Sequence, residues 1–142
     1  MIVSVSGDTP YRTMFTDGKS EGFCDTTSDK GGSGSGFRPH DLLEAALASC
    51  INMNLRMFAD KSKIRLDEVR VKVSLNRDDP EETVFEYEVE LKGDLGPEER
   101  RMLAELGPCP VGKTMTKRIS LRGSSAVFTP GDADKASDGT RF

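Results

Sequence analysis

The sequence predicts an α+β protein in which antiparallel sheets pack around one long, buried central helix. Three observations support this fold class. Residues 40–61 combine helix formers with few charges in the middle, residues 64–76 and 84–91 alternate apolar and polar side chains, and 142 residues allow one compact core. We therefore expect a single domain over residues 1–130, followed by a polar, flexible tail over residues 131–142.

The N-terminal residues predict a small antiparallel sheet. Residues 2–5 have the composition of a short strand, and residues 11–16 and 20–27 predict a hairpin around the Asp17-Gly18 turn. Residues 28–36, which are rich in glycine and serine, predict a mobile connection without regular structure.

The predicted central helix begins near Pro39, a residue tolerated at the first helical position. It carries apolar side chains on every face, and its charged residues gather near the two ends. This pattern predicts a helix whose middle is covered nearly all round, either by sheet or by a partner chain. One face comprises Leu43, Leu47, Cys50, Asn54 and Met57, and other faces carry Leu42, Ala46, Met53 and Leu55.

Two longer strands follow the helix and predict an antiparallel pair. Valines alternate with charged or polar residues in the first strand, and aromatic or aliphatic residues alternate with glutamates in the second. Residues 78–81 have the composition of the connecting turn. A second helix is predicted over residues 97–106, a short third helix has Cys109 at its cap, and residues 119–121 and 126–128 are predicted as closing strands.

Charge and composition exclude several classes of function. The formal net charge is −4 and the basic residues are scattered, so no nucleic-acid partner is expected. The longest apolar stretch, residues 42–55, falls short of the ~20 residues of a membrane span, and the N-terminus lacks the basic region of a secretion signal. Three widely spread cysteines are typical of a protein in a reducing compartment, so we expect a cytoplasmic location. The single histidine, His40, excludes a multi-histidine metal site, and no cofactor is expected.

The three cysteines allow different interpretations. Cys50 lies in mid-helix among apolar residues and could be a small core residue. Cys109 lies at a predicted helix start, with Lys113 one turn on, where backbone N–H groups and a cation favour a thiolate. A simple loop thiol is the alternative for Cys109. Cys24 has no evident activating group and is interpreted as structural. Spacing alone does not show that any two of these thiols meet.

Two cysteine motifs resemble those of one known family. Residues 36–59, which run from Gly-Phe-Arg-Pro-His through Ala-Ser-Cys to Met-Phe-Ala, are similar to the central-helix signature of the OsmC/Ohr family. Residues 109–111, Cys-Pro-Val, are similar to its second-cysteine motif. The order of elements over residues 10–128 also agrees. The resemblance implies an OsmC-like fold in an intertwined homodimer with two active sites at the interface.

The same resemblance implies roles for three side chains. Cys50 would be the attacking thiol, Cys109 the resolving thiol, and Arg12 the cation that stabilises the thiolate and orients the peroxide. These residues would supply the thiolate, the cation and the second thiol that peroxide reduction requires. Arg12 could instead be a solvated strand residue. The predicted helix start favours Cys109 as the reactive thiolate, whereas the resemblance to the family implies Cys50. We adopt the assignment that the resemblance implies, with Cys50 as the attacking thiol.

Two positions depart from the family pattern. The peroxide-specialised Ohr branch has a glutamate ten residues before the helix cysteine, where this chain has His40. Asp41 or Glu44 could substitute for it, and His40 could be an auxiliary site residue or an ordinary neighbour of the helix cap. Gly112 stands where many relatives carry histidine. These departures leave the fold prediction intact and weaken the prediction of efficient peroxidase activity.

A phosphate-loop pattern also occurs in the chain. Residues 107–114 match G-x-x-x-x-G-K-[ST] at every fixed position. We reject a nucleotide-binding loop because Pro108 and Pro110 lack the backbone N–H groups that bind phosphate, and because a helix rather than a strand is predicted before the motif. Residues 31–36 lack a surrounding dinucleotide fingerprint and are likewise not interpreted as a phosphate site.

The sequence therefore supports two hypotheses. The first is a cytoplasmic, homodimeric peroxidase that acts on organic hydroperoxides above all. It would form a Cys50 sulfenic acid that Cys109 resolves, with an external dithiol as reductant and no cofactor. The second is a non-catalytic dimeric module of the same fold that binds a small hydrophobic or thiol ligand between its central helices.

Overall fold

Five strands and three α-helices form the part of the chain that the computed structural model describes, residues 1–123. The strands lie in two antiparallel sheets, one before and one after a long helix. The predicted α+β class is therefore confirmed. The elements are β1 (Val3–Ser6), β2 (Thr13–Thr16), β3 (Glu21–Cys24), α1 (Pro39–Ser62), β4 (Glu68–Asn76), β5 (Val84–Lys92), α2 (Pro97–Ala104) and α3 (Pro110–Met115).

The N-terminal sheet has the order β1-β2-β3, and the predicted hairpin is its β2-β3 pair. The Asp17 carboxylate accepts hydrogen bonds from the backbone N–H groups of Lys19 and Ser20, both at 2.8 Å. Gly18 follows with φ of +92°, a conformation that glycine adopts without steric cost. Met14 is thereby paired with Phe23, which places residues of the two strands side by side.

The second sheet consists of β4 and β5 in antiparallel register, with Val71 opposite Val89 and Lys72 opposite Glu88. Its outer face is charged, and Lys72 lies 3.1 Å from Glu88 and 2.7 Å from Glu90. The inner face of β4 packs against α1, as the alternating pattern predicts. On β5, Tyr87 and Val89 are 61% and 37% exposed, so the half-buried face predicted for this strand is less covered than expected.

The α1 helix and its contacts form the core. At its start, the Asp41 carboxylate accepts a hydrogen bond from the backbone N–H of Arg38 at 2.9 Å, which satisfies a donor that has no partner within the helix. At its end, Lys63 adopts a left-handed conformation with φ of +58°. The buried cluster joins α1, β4 and α2 and comprises Leu55, Ala59, Ile64, Val69, Leu95 and Leu103.

The single chain covers the helix on one side only, so the predicted burial nearly all round would require the partner chain that the sequence pattern allows. Leu43, Met53 and Met57 are 44%, 58% and 70% exposed. The α1 helix has 24 residues and, among the described elements, contacts only β4, α2 and α3 extensively, and these elements are too few to surround it.

The glycine-rich connection is held in place rather than left as the mobile segment that its composition predicts. Asp25, which is 2% exposed, accepts hydrogen bonds from the N–H of Thr26 and from both the N–H and the hydroxyl of Ser33. A short 3-10 turn over Ser28–Lys30 precedes the glycines. The buried carboxylate supplies acceptors that composition alone does not reveal.

The predicted strand over residues 119–121 is not formed, and the side chain of Leu121 is 95% exposed. A strand needs a neighbour to pair its backbone groups, and this segment has none among the described residues. The predicted strand over residues 126–128 and the predicted tail over residues 131–142 lie outside the described residues.

Candidate active site

The fold brings Cys50 and Cys109 together although 59 positions separate them in the sequence. Cys50 lies in the middle of α1, and Cys109 immediately precedes α3. The N–H of Val111 donates to Cys50 Sγ at 3.5 Å, and the Cys50 thiol lies close enough to Cys109 to raise the pKa of the Cys109 thiol. Both cysteines are free thiols.

The first turn of α3 supplies N–H groups to both sulfur atoms. Cys109 is the N-cap of this helix, and its Sγ accepts the N–H of Gly112 at 3.4 Å. The N–H of Val111 reaches Cys50 instead. Pro110 occupies the first helical position, where its missing N–H costs nothing. The predicted short helix with Cys109 at its cap is therefore confirmed.

Burial raises the pKa of the Cys109 thiol, and the hydrogen bond and charge of Cys50 raise it further. The N–H groups of Gly112 and Val111 act in the opposite direction but do not compensate. The prediction that local position favours a Cys109 thiolate is thus wrong, because the side chain is only 4% exposed and desolvation outweighs both backbone donors. Lys113 does not offset this loss, since it lies on the exposed side of α3.

Cys24 lies in β3, away from this pair. It is 6% exposed, and burial raises its pKa, with the charge of Asp41 as the second cause. These surroundings keep the thiol protonated and unreactive. They agree with the interpretation of Cys24 as a structural residue.

Arg12 lies just before β2, and its guanidinium carbon is 4.2 Å from the centroid of the Phe23 ring. No hydrogen bond among residues 1–123 joins Arg12 to Cys50. The single chain therefore unites the two cysteines without the arginine.

His40 and its acidic neighbours have other partners. The Nη1 atom of Arg77 lies 3.0 Å from His40 Nε2, and because a guanidinium only donates, Nε2 accepts in this arrangement. Asp41 pairs with the Arg38 guanidinium at 2.7 Å, and Glu44 accepts the N–H of Leu75 at 2.8 Å. Both carboxylates therefore already accept hydrogen bonds within the described chain.

An apolar cavity of about 360 Å³ opens beside Cys109. Ile51 and Leu55 line it from α1, Tyr87 from β5 and Leu103 from α2. It is the size of a small-molecule site and has room for the alkyl part of a ligand next to Cys109.

Other kinds of site find no support in the described part of the chain. The phosphate-loop pattern follows α2, a helix, as the sequence predicts, and not the strand that such a loop requires. Within residues 1–123, no three side chains of histidine, cysteine, aspartate or glutamate converge as a metal site would require. None of the described helices combines the length and the apolar character of a membrane span.

Three groups were not identified from the sequence, one beside the thiol pair and two in the region of Arg12. The N–H of Val111 is a backbone donor and leaves no sequence signal. Phe23 carries no signal of its stacking on Arg12. Asp25 does carry one, because aspartate before a run of threonine, serine and glycine often accepts backbone N–H groups in a loop.

The fold and the site define an α+β protein whose central helix presents one thiol to a second thiol at the start of a short helix. The chain belongs to the OsmC-like family: the model of that family, described as OsmC-like protein, matches residues 32–122. This match includes both cysteines. A search of curated proteins gave no significant match.

Solved structures show the same fold. An organic hydroperoxide resistance protein OsmC from Legionella pneumophila is 22% identical with a TM-score of 0.57, and the alignment covers 82% of this chain and 88% of that one. The organic hydroperoxide resistance protein OhrB of Bacillus subtilis is 23% identical with a TM-score of 0.56, covering 82% and 89%. An OsmC-like protein from Mycoplasma pneumoniae is 16% identical with a TM-score of 0.61, covering 81% and 85%.

Proposed function

We propose that the protein is a thiol-dependent peroxidase that reduces organic hydroperoxides in the cytoplasm. The observation that carries this proposal is that the first turn of α3 holds both sulfur atoms, because neighbouring backbone N–H groups of Val111 and Gly112 donate to Cys50 and to Cys109. Membership of the OsmC-like family supports it, since two proteins of the same fold are named for organic hydroperoxide resistance.

The proposed reaction proceeds in three steps. The Cys50 thiolate attacks one peroxide oxygen, the O–O bond breaks, and the alkoxide takes a proton and leaves as an alcohol. The Cys109 thiolate then attacks the sulfur of the Cys50 sulfenic acid, which releases water and forms a disulfide. An external dithiol reduces this disulfide by two successive exchanges and is itself oxidised. No cofactor takes part.

Exposure and charge support the proposed roles of the two cysteines. The attacking thiol must meet the substrate, and Cys50 is partly exposed whereas Cys109 is buried. A resolving thiol can remain neutral until the sulfenic acid forms, which agrees with the raised pKa of Cys109. The apolar cavity beside Cys109 favours a hydroperoxide with an alkyl group over hydrogen peroxide.

The decisive experiment follows the thiols of the reduced protein after addition of tert-butyl hydroperoxide. We expect rapid loss of two hydrogen atoms by intact mass, and a single disulfide between Cys50 and Cys109 by peptide mass. Cys24 should stay reduced because it is buried away from the pair. Slow oxidation of all three thiols at similar rates would contradict the peroxidase.

The resolving step should depend on pH. Below its raised pKa, the ionised fraction of Cys109 grows tenfold with each pH unit, so disulfide formation should accelerate about tenfold per unit between about pH 6 and 8. Stopped-flow measurements at peroxide concentrations that make resolution rate-limiting test this. A pH-independent step would mean that Cys109 is already ionised.

We also expect a homodimer formed through the open side of α1. Leu43, Cys50 and Met57 recur at seven-residue spacing, and Met53 lies three residues after Cys50 and four before Met57. The four side chains make one stripe, which a second copy of the helix could cover. A partner chain would also bring a second N-terminal sheet, with its own arginine, towards the first pair of thiols.

Placing a charge in this stripe should separate the subunits. We expect Met53→Glu to weaken dimerisation by at least about 100-fold, because the carboxylate would be buried without a partner. Light scattering after size exclusion measures the mass. Met102→Glu on α2 is the matched control and should remain dimeric, and an unchanged mass for Met53→Glu would contradict an interface at this stripe.

A non-catalytic binding module is the second candidate. The apolar cavity supports it, and so does the absence of a hydrogen bond between Arg12 and Cys50 within the described chain. A module of this kind would bind a hydrophobic or thiol ligand without consuming peroxide. Turnover with an added dithiol, measured as peroxide loss, distinguishes the two candidates.

A further inference from the structure

The Arg12 guanidinium rests on one aromatic ring. Its central carbon lies 4.2 Å from the centroid of Phe23, which is the geometry of a cation–π contact. No salt bridge of Arg12 occurs among residues 1–123. Within those residues, the Phe23 ring is therefore the group that holds the guanidinium in position. Arginine stacks favourably on an aromatic ring because its guanidinium is planar and weakly hydrated.

The Phe23 ring is itself supported by Gly36. A methyl group at Gly36 would lie 2.7 Å from Cε2 of Phe23 and 3.2 Å from the backbone nitrogen of Asp25. Only a residue without a side chain allows this approach. The N–H of Asp25 also donates to the carbonyl of Phe37 at 3.0 Å, which fixes Gly36 relative to β3.

The Asp25 carboxylate holds the rest of this connection. It is 2% exposed and accepts hydrogen bonds from the N–H of Thr26 at 2.7 Å, from the N–H of Ser33 at 3.0 Å, and from the Ser33 hydroxyl. Ser33 and Ser35 are hydrogen-bonded to each other through their hydroxyls at 2.7 Å. The loop, the ring and the guanidinium therefore form one continuous series of contacts.

We infer that Phe23 is a positioning residue that holds the Arg12 guanidinium for peroxide reduction, and that Gly36 and the Asp25 loop fix the ring. This inference rests on the proposed function, in which Arg12 stabilises the reacting thiolate. A guanidinium that is already oriented loses less side-chain freedom when the peroxide binds, so more of its attraction lowers the barrier.

The test compares three variants of the full chain. Phe23→Leu keeps an apolar side chain and removes the ring, Phe23→Tyr keeps the ring, and Phe15→Leu removes a ring of the same sheet that packs against Gly22. We expect the second-order rate with tert-butyl hydroperoxide to fall about threefold to tenfold in Phe23→Leu and to stay near wild type in the other two.

A spectroscopic measurement tests the geometry without any turnover. In wild type, the side-chain Nε–H resonance of Arg12 should be shifted upfield by the ring current of Phe23. We expect this shift to persist in Phe23→Tyr and Phe15→Leu and to vanish in Phe23→Leu. Gly36→Ala, which keeps every ring but displaces that of Phe23, should reduce both the shift and the rate.

The outcomes separate this inference from the proposed function. If Arg12→Ala slows the reaction and Phe23→Leu does not, the positioning role is wrong while the peroxidase stands. An Arg12 resonance with no ring-current shift in wild type would also overturn it. If wild type consumes no peroxide, both proposals fail.

Discussion

Replacing Cys50 by serine is expected to abolish peroxide reduction, with a loss on the order of 1000-fold or more in the second-order rate. A hydroxyl at this position is not ionised at neutral pH and does not form a sulfenic acid. The N–H of Val111 and the neighbouring Cys109 remain in place, so the variant removes the reacting atom and leaves its surroundings. Peroxide consumption with excess dithiol measures the effect.

Two other cysteine variants serve as controls for this prediction. Cys24→Ala should retain nearly wild-type turnover, because Cys24 lies in β3 and not beside the thiol pair. Cys109→Ser should accept one equivalent of peroxide and then accumulate over-oxidised Cys50, since the resolving thiol is missing. Substantial turnover by Cys50→Ser would show that another group carries the reaction.

Truncating Leu103 is expected to cause the largest loss of stability. This side chain is 3% exposed and joins α2 to the cluster around Leu55 and Ala59. Leu103→Ala should lower the free energy of unfolding by about 2–5 kcal/mol, because apolar contacts are lost and a cavity remains. Urea denaturation at one fixed protein concentration measures the change.

The neighbouring residue on the same helix provides the matched comparison. Met102 is 37% exposed, and Met102→Ala should cost less than about 1 kcal/mol. Equal losses in the two variants would mean that α2 does not contribute to the core through Leu103.

The fold was accessible from sequence because its elements have strong periodic patterns. The alternation along β4 and β5 predicted their pairing, and Pro110 after Cys109 predicted the short α3. Both signals are local, so they depend on little beyond neighbouring residues. The contact between the two cysteines was different, since it depends on tertiary packing and was implied only by resemblance to the family.

Where prediction and structure differ, the cause lies in partners distant along the chain. The predicted helix start at Cys109, with Lys113 one turn on, suggested an ionised thiol, but burial among residues from other elements raises its pKa. Glycine content suggested a mobile loop, but the Asp25 carboxylate fixes it. Neither burial nor a hydrogen bond across eight residues is a property of local composition.

The contact between Cys50 and Cys109 has a consequence for the choice of reductant. Because folding already holds the two sulfurs together, each faces the other at a high effective concentration. When a monothiol captures Cys50 as a mixed disulfide, Cys109 can expel it and restore the internal bond. A dithiol avoids this reversal. Once its first thiol has formed the mixed disulfide with Cys50, its own second thiol attacks that disulfide as an intramolecular reaction and releases Cys50 in the reduced form.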